Sequence, residues 1–255
     1  MSIGLMNEAI FARMLILGIR MINNGLRPVS FEGPEAEQRE TYRTLAAFAA
    51  EHGAKGNCLE IGAGLGDGLT LIQAAGEWRV SGLDGSRIAA LAARRRGHDL
   101  RFADITRMPI PDNSIDHILG VECVVCLDYS EAGLKDIARI LRPGGALSIA
   151  EFRKAKPRVA ALRLDELAKG AGLRLADFRD LTDRARDSVL AQAEARGAKL
   201  NRIPPPFRRW ARELSAVEGS TRYEDWMTGK RCYHLARLEN HWERKPDDLD
   251  QHRTV

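Results

Sequence analysis

The chain has 255 residues, 44% of them hydrophobic and 29% charged, with a formal net charge of +4. That is enough for one large domain with a substantial core, and it excludes collagen-like, low-complexity and disulfide-stapled chains. The arginines fall in short clusters (94–96 and 208–212) rather than along a stripe interleaved with aromatics, which argues against a nucleic-acid surface.

At the N-terminus, "IGLMNEAIFARMLILGIRMI" predicts an amphipathic helix with Met6, Ile10, Met14, Leu17 and Met21 along one stripe. Glu8, Arg13 and Arg20 interrupt it, and its uncharged run from Met14 to Ile19 is far too short to span a membrane. No basic leader or small-residue cleavage site accompanies it, so a cytoplasmic location is expected. The stripe is expected to pack on the domain or on a partner, a second copy included.

Beyond residue 40, strand and helix signals alternate. "TYRTLAAFAAEHG" has helical periodicity and stops at Gly53. "NCLEIG", "WRVSGLDGS", "LRFADI", "SIDHILGVECVV" and "ALSIAEF" read as five strands. Between them "DGLTLIQAAG", "RIAALAARRRG" and "SEAGLKDIARIL" read as helices, the last ended by Pro143-Gly144-Gly145. This alternation predicts a doubly wound α/β domain with a parallel sheet covered on both faces. A helix over 158–171 and a sixth strand, "LRLADFRDLT", follow. Residues 183–229 carry helical patterns with Phe207, Trp210, Tyr223, Trp226 and Met227. They read either as an ordinary helical insertion with its own small core or as a lid over an acceptor pocket, formed together with the N-terminal helix. The tail from 241 is polar and charged and is expected to lack a fixed fold.

Cys58, Cys123, Cys126 and Cys232 follow no framework spacing. Cys123 and Cys126 form a CxxC, but no second pair completes four ligands, so free thiols and no metal are expected.

In such sheets ligands lie beyond the carboxyl ends of the strands. "CLEIGAGLGDG" (58–68) places Gly62, Gly64 and Gly66 there, after Glu60. A dinucleotide loop has GxGxxG; here Asp67 stands where the third glycine belongs. Two carboxylates at the mouth of the loop are a poor host for phosphates and a good one for a cationic ligand. Asp84 ends the second strand, where a carboxylate accepts from ribose hydroxyls, and Asp104 follows the third, beside Ile105. A lone Asp in such a place is most often a cap or turn residue. Three carboxylates on three successive strand ends together outline an adenosine whose other end is cationic.

"LEIGAGLG", "GLDGS", "FADITRMPIPDNSID" and "LRPGGALSIAEF" resemble the successive motifs of class I S-adenosylmethionine-dependent methyltransferases, over about residues 40 to 155. The resemblance implies a Rossmann-like seven-stranded sheet with a helical lid, and S-adenosylmethionine as cofactor. It implies that Gly62, Ala63, Gly64 and Gly66 line the methionine and ribose, and that Glu60 orients the loop or the ammonium group. Asp84 would hold the ribose, and Asp104 and Ile105 the adenine, with Gly85, Ser86 and Val121 completing the site.

"VECVVCL", "AEFR" and "VEGSTRYEDWMTGKRCYHLARL" are further similar to a small-molecule branch acting on polyketide, glycolipid and isoprenoid-type acceptors. "NNGLRP" resembles its lead-in to the first core helix. Where the branch commonly has a histidine and a tyrosine, this chain has Val125 and Leu127. Prenyl diphosphate C-methyltransferases have a similar stretch whose glutamate is the general base, so the resemblance implies Glu122 as the candidate base. Its alternative is a structural role, holding the methionine ammonium or capping the next helix. His234 and Tyr129 are second-rank bases; His98 and His117 are expected on the surface or in structural roles.

The expected organisation is thus one methyltransferase domain: lid helix 1–40, cofactor core 41–155, lid insertion and last strands 156–240, tail 241–255. The expected acceptor is small and hydrophobic, methylated on oxygen, with C-methylation of a prenyl diphosphate as the alternative. A nicotinamide-dependent oxidoreductase and a non-catalytic cofactor-binding protein stay open as other classes.

Overall fold

The computed structural model describes residues 3–29, 31–105, 107–123, 131–200 and 205–240. Val125, Cys126, Leu127, Tyr129 and the tail lie outside the described residues. In chain order the strands are β1 (Gly56–Ile61), β2 (Trp78–Asp84), β3 (Leu100–Phe102), β4 (Ile115–Val121), β5 (Leu141–Arg153), β6 (Leu173–Asp180) and β7 (Cys232–Asn240). They form one seven-stranded sheet in the order β3-β2-β1-β4-β5-β7-β6. β1 to β5 pair in parallel, and β7 runs antiparallel between β5 and β6.

The helices are α1 (Ile3–Leu17), α2 (Ala36–Glu51), α3 (Asp67–Gln73), α4 (Arg87–Arg95), α5 (Glu131–Ile140), α6 (Pro157–Gly170), α7 (Thr182–Leu200), α8 (Pro205–Ser215) and α9 (Thr221–Met227). Strand alternation divides the core. Leu59, Ile61, Ile118, Leu147 and Ile149 pack with Leu134 and Ile137 of α5 and Leu164 of α6. Cys58, Leu119, Val121 and Ala150 pack on the other face with Tyr42, Leu45 and Phe48 of α2 and with Val189 and Trp226 of the α7–α9 insertion. β4 and β2 flank β1, so the strand order reverses at β1, where a doubly wound sheet opens its ligand crevice.

Two local expectations are corrected. Pro143-Gly144-Gly145 do not terminate α5 as a separate stop: α5 ends at Ile140, and β5 starts at Leu141 and runs through them. The pairing Ile115↔Leu141 is followed by His117↔Ala146, so a bulge on β5 absorbs the extra residues. The N-terminal stripe is also shorter than expected. α1 ends at Leu17, Gly18 follows at φ 66°, and Met21 packs separately against the α2 face. Ile10, Phe11 and Met14 pack on Leu65, Ile88 and Ala89, so α1 lies against the domain itself.

Candidate active site

The glycine stretch forms a turn at the carboxyl end of β1, with Gly62, Gly64 and Gly66 at φ 69°, 55° and 84°. These are conformations that L side chains rarely adopt, which accounts for the glycine density. Asp84, at the end of β2, fastens that turn. Its Oδ2 accepts from the Gly64 N–H at 2.8 Å and its Oδ1 from the Ser86 N–H at 2.8 Å. Only 5% of Asp84 is exposed, and burial outweighs both hydrogen bonds to raise its pKa. Ala63 is tied to the same strand, its N–H donating to the Leu83 carbonyl at 3.0 Å.

Ser86 is buried, and its hydroxyl is already engaged. It caps α4 by accepting from the Ala89 N–H at 3.1 Å, and it donates to Glu8 Oε2 at 2.7 Å. Glu8 reaches over from α1 and also accepts from the N–H groups of Arg87 and Ile88, at 2.7 and 3.1 Å. These contacts hold the Glu8 carboxyl below the ordinary range despite the cost of burial. With the Phe11 ring 3.5 Å from where a Gly64 Cβ would stand, α1 lies across the glycine turn. A Cβ on Gly85 would meet nothing nearer than 4.0 Å, so open space adjoins it. Asp104 is exposed, and Ile105 is half-buried against the main core.

Glu60 is the anomaly of the site. It is fully buried, and neither carboxylate oxygen has a hydrogen-bond partner among the described residues. Burial pushes its pKa up to about 8; the nearby Tyr42 hydroxyl opposes the rise without completing a well-formed bond, and Asp84 adds to it. A buried carboxylate left open costs free energy, and it calls for a cation or an ordered water.

Asp67 behaves otherwise than the sequence argument assumed. Arg20 approaches it at 2.9 Å and Arg96 at 2.7 Å, so its charge is balanced within the protein. The acidic groups left open at the loop are therefore Asp84 and Glu60, the latter charged once its proton is released near pH 8.

Glu122 follows Val121 at the end of β4, again on the carboxyl edge of the sheet. It is not glycine, yet it adopts φ 51°, a strained conformation of the kind that clusters at functional sites. Its N–H donates to the Ala150 carbonyl at 2.8 Å, which aims the side chain inward. Oε1 accepts from the Asn24 backbone N–H at 2.7 Å and from the Tyr233 hydroxyl at 3.2 Å; Oε2 accepts from Asn24 Nδ2 at 2.7 Å. Burial raises its pKa to about 7, against the opposing effect of the Asn24 and Tyr233 bonds and the Arg196 charge.

Asn24 is itself anchored. Its carbonyl accepts from Arg196 Nη2 at 2.8 Å and Gln192 Nε2 at 3.2 Å, both on α7. Asn24, Tyr233, Arg196 and Glu8 were not singled out as site residues from the sequence. The available signal for the first was the "NNGLRP" segment just ahead of α2.

The fold thus brings Glu60, the glycine turn, Asp84, Val121 and Glu122 to one edge of the sheet. The other titratable candidates lie elsewhere. β7 alternation places His234 on the face opposite Tyr233, where it stacks on Phe178 at 4.7 Å with its pKa lowered by burial to about 4. His117 is buried and bonds the Ser148 hydroxyl at 3.0 Å, a structural role. Cys58, Cys123 and Cys232 are buried and form no disulfide, and no metal-ligating cluster occurs, among the described residues. No described helix is long and apolar enough to cross a membrane. An open groove lined by Leu190, Glu194, Arg212, Val217 and Tyr223 lies within the α7–α9 insertion and shares no residue with this edge.

Residues 59–149, the stretch holding every strand end just described, match the family described as methyltransferase domain. Those residues form a methyltransferase domain. Among curated relatives, the chain is 25% identical over 178 residues to O-methyltransferase resE of Aspergillus sclerotiorum, covering 60% of this chain and 66% of that one. Matches to the first curated relatives span between 44% and 66% of their own length.

Among solved structures, the [4+2]-cyclase SpnF superposes with a TM-score of 0.70 at 19% identity, covering 93% of this chain and 94% of that one. Geranyl diphosphate C-methyltransferase from Streptomyces coelicolor A3(2), in complex with Mg2+, geranyl diphosphate and S-adenosyl-L-homocysteine, superposes at 0.65 and 16% identity, covering 92% and 98%. These likenesses establish the methyltransferase fold; since one neighbour is a cyclase, the fold by itself does not name the reaction.

Proposed function

We propose that the chain binds S-adenosylmethionine across the carboxyl edge of β1, β2 and β4 and transfers its methyl group to a small, largely apolar acceptor. The observation that carries this reading is Glu60: a buried carboxylate with both oxygens open, beside a turn of three left-handed glycines. Such a carboxylate suits an ammonium group, directly or through water, and the turn lets a ligand come close to the main chain. Asp84 retains acceptor capacity for ribose hydroxyls beyond its two backbone bonds, and the space beside Gly85 and Ile105 suits an adenine. Bound there, the cofactor supplies an electrophilic methyl group.

Glu122 is then the general base. Its pKa near 7 matches a group that must accept a proton at neutral pH, and Asn24 and Tyr233 fix its carboxylate in place. Its neighbour Val121 belongs to a buried apolar cluster with Leu26 and Trp226, which favours an apolar acceptor that excludes water. Oxygen is the favoured methyl acceptor, in keeping with the O-methyltransferase relative. The test is to incubate the protein with methyl-labelled S-adenosylmethionine and extracts fractionated by polarity. Label is expected in an apolar product whose ether is stable to mild base; label confined to protein or to water-soluble polar fractions would overturn the acceptor class.

A further inference from the structure

α1 and α4 run side by side in the same direction. Glu8 of α1 meets the N-terminus of α4 at Ser86, Arg87 and Ile88, and beyond the other ends Arg20 and Arg96 both reach Asp67. Between these ties Ile10, Phe11 and Met14 pack with Ile88, Ala89 and Ala92. The outer sides of the two helices therefore adjoin.

That outer surface is both apolar and basic. On α1, Leu15 and Ile16 are 43% and 73% exposed, and on α4 Leu91 is 53% exposed. A helix that is apolar nearly all round, as α1 is, is normally covered on every side, and the domain covers one side of it. α4 buries Ala89, Ala90 and Ala93 and exposes Arg87, Leu91, Arg94 and Arg95, positions that share one helix face.

The acidic groups nearby leave that face positive. Glu8 is the only acidic residue on either helix, and it is taken up at the N-terminus of α4, where it faces Arg87. Asp67 is balanced by Arg20 and Arg96, and Asp99 and Asp104 lie on the segments either side of β3, off both helices. Arg94 and Arg95 make no ion pair among the described residues. Cations in the last turn of a helix are ordinary; beside three exposed aliphatic side chains they select the partner. A second copy fits poorly, because a two-fold pairing buries the same patch twice and sets Arg94 and Arg95 against their own counterparts. Aliphatic side chains that enter an acyl boundary, rimmed by arginines that meet lipid phosphates, fit a helix lying on a membrane surface rather than crossing it.

We propose that Leu15, Ile16 and Leu91, with Arg94 and Arg95, seat the protein on an anionic lipid surface, α1 lying along the interface. The inference goes beyond methyl transfer and stands independently of it.

The test is flotation of the full chain with vesicles of phosphatidylcholine alone and of phosphatidylcholine mixed with phosphatidylglycerol, at low and high ionic strength. The partition coefficient is expected to be at least about tenfold higher on the anionic vesicles at low salt, and to fall as salt rises. Ile16→Asp and Leu91→Asp are each expected to lower it about tenfold, the loss of one buried aliphatic side chain. Arg94→Gln and Arg95→Gln are each expected to lower it about fivefold and to flatten the salt dependence. Circular dichroism and S-adenosylhomocysteine affinity are expected to stay near wild type in all four. Should an aspartate variant lose its fold, the two arginine variants and the salt dependence of the wild type decide. No binding to anionic vesicles, equal binding to neutral ones, or undiminished binding in the variants overturns the proposal. So does dimerisation by sedimentation velocity, abolished by Ile16→Asp, in a chain that binds no vesicles; the patch then belongs to a second copy.

Discussion

Asn24 grips both carboxylate oxygens of Glu122 across 98 positions of sequence, through its backbone N–H on one and its side-chain amide on the other. The same residue's carbonyl is held by Arg196 of α7. The segment ahead of α2, the end of β4 and α7 therefore meet at one side chain, and its protonation state reports on all three.

That arrangement separates a catalytic Glu122 from a merely structural one. Glu122→Gln keeps size and most hydrogen bonds but cannot take a proton. Turnover is expected to fall roughly 10²–10⁴-fold, with S-adenosylhomocysteine affinity within a few-fold of wild type. Weakened cofactor with near-normal turnover at saturation would instead make Glu122 a ligand for the ammonium group.

Asn24→Ala gives the complementary result. The Asn24 side-chain bond favours the charged form of Glu122, so its removal, which leaves the backbone N–H bond in place, raises the Glu122 pKa above about 7. A base acts when deprotonated, so the acid limb of the turnover–pH profile should move to higher pH. A profile that keeps its position while the rate drops would leave Asn24 a packing residue only.

Asp84→Ala should lower cofactor affinity and stability together, because the same carboxylate fastens the glycine turn. Hydrogen bonds to charged groups contribute roughly 1.5–3 kcal/mol, so affinity should fall about one to two orders of magnitude. A folded variant with unchanged affinity and a lowered melting temperature would restrict Asp84 to the turn.

Glu60 has a pH signature. Its folded pKa, near 8, lies above the ordinary value of 4.5, so the folded state keeps the proton longer than the unfolded chain. The stability this provides is full below about pH 4.5 and is lost as pH rises through about 8. Glu60→Gln removes that dependence: its melting temperature should gain on the wild type between pH 5 and about pH 8.5. Parallel melting curves across that range would mean that Glu60 is already paired in solution.

Much of this was legible in the chain. The alternation of apolar runs with helical periods pointed to the parallel sheet, and the glycine spacing after Glu60 to the left-handed turn at the carboxyl end of β1. What the sequence could not carry were contacts made across long separations. Nothing local ties Asn24 to Glu122, Glu8 to Ser86, or Arg20 to Asp67, since each joins groups that only the fold makes neighbours. The Asp67 case is instructive: read alone it was an open acidic group, and in three dimensions two arginines balance it. His234 was misplaced for a related reason. Its side-chain direction depends on the register of β7, an antiparallel strand inserted between β5 and β6, and that pairing is not local.

The central claim is that the crevice at Glu60 and Asp84 takes an adenosyl sulfonium cofactor and not a dinucleotide. Titration calorimetry of the purified chain against S-adenosylhomocysteine and against NAD tests it most directly. The account predicts micromolar binding of S-adenosylhomocysteine, on the order of −8 kcal/mol, and no measurable heat with NAD. Heat with NAD and none with S-adenosylhomocysteine would contradict it.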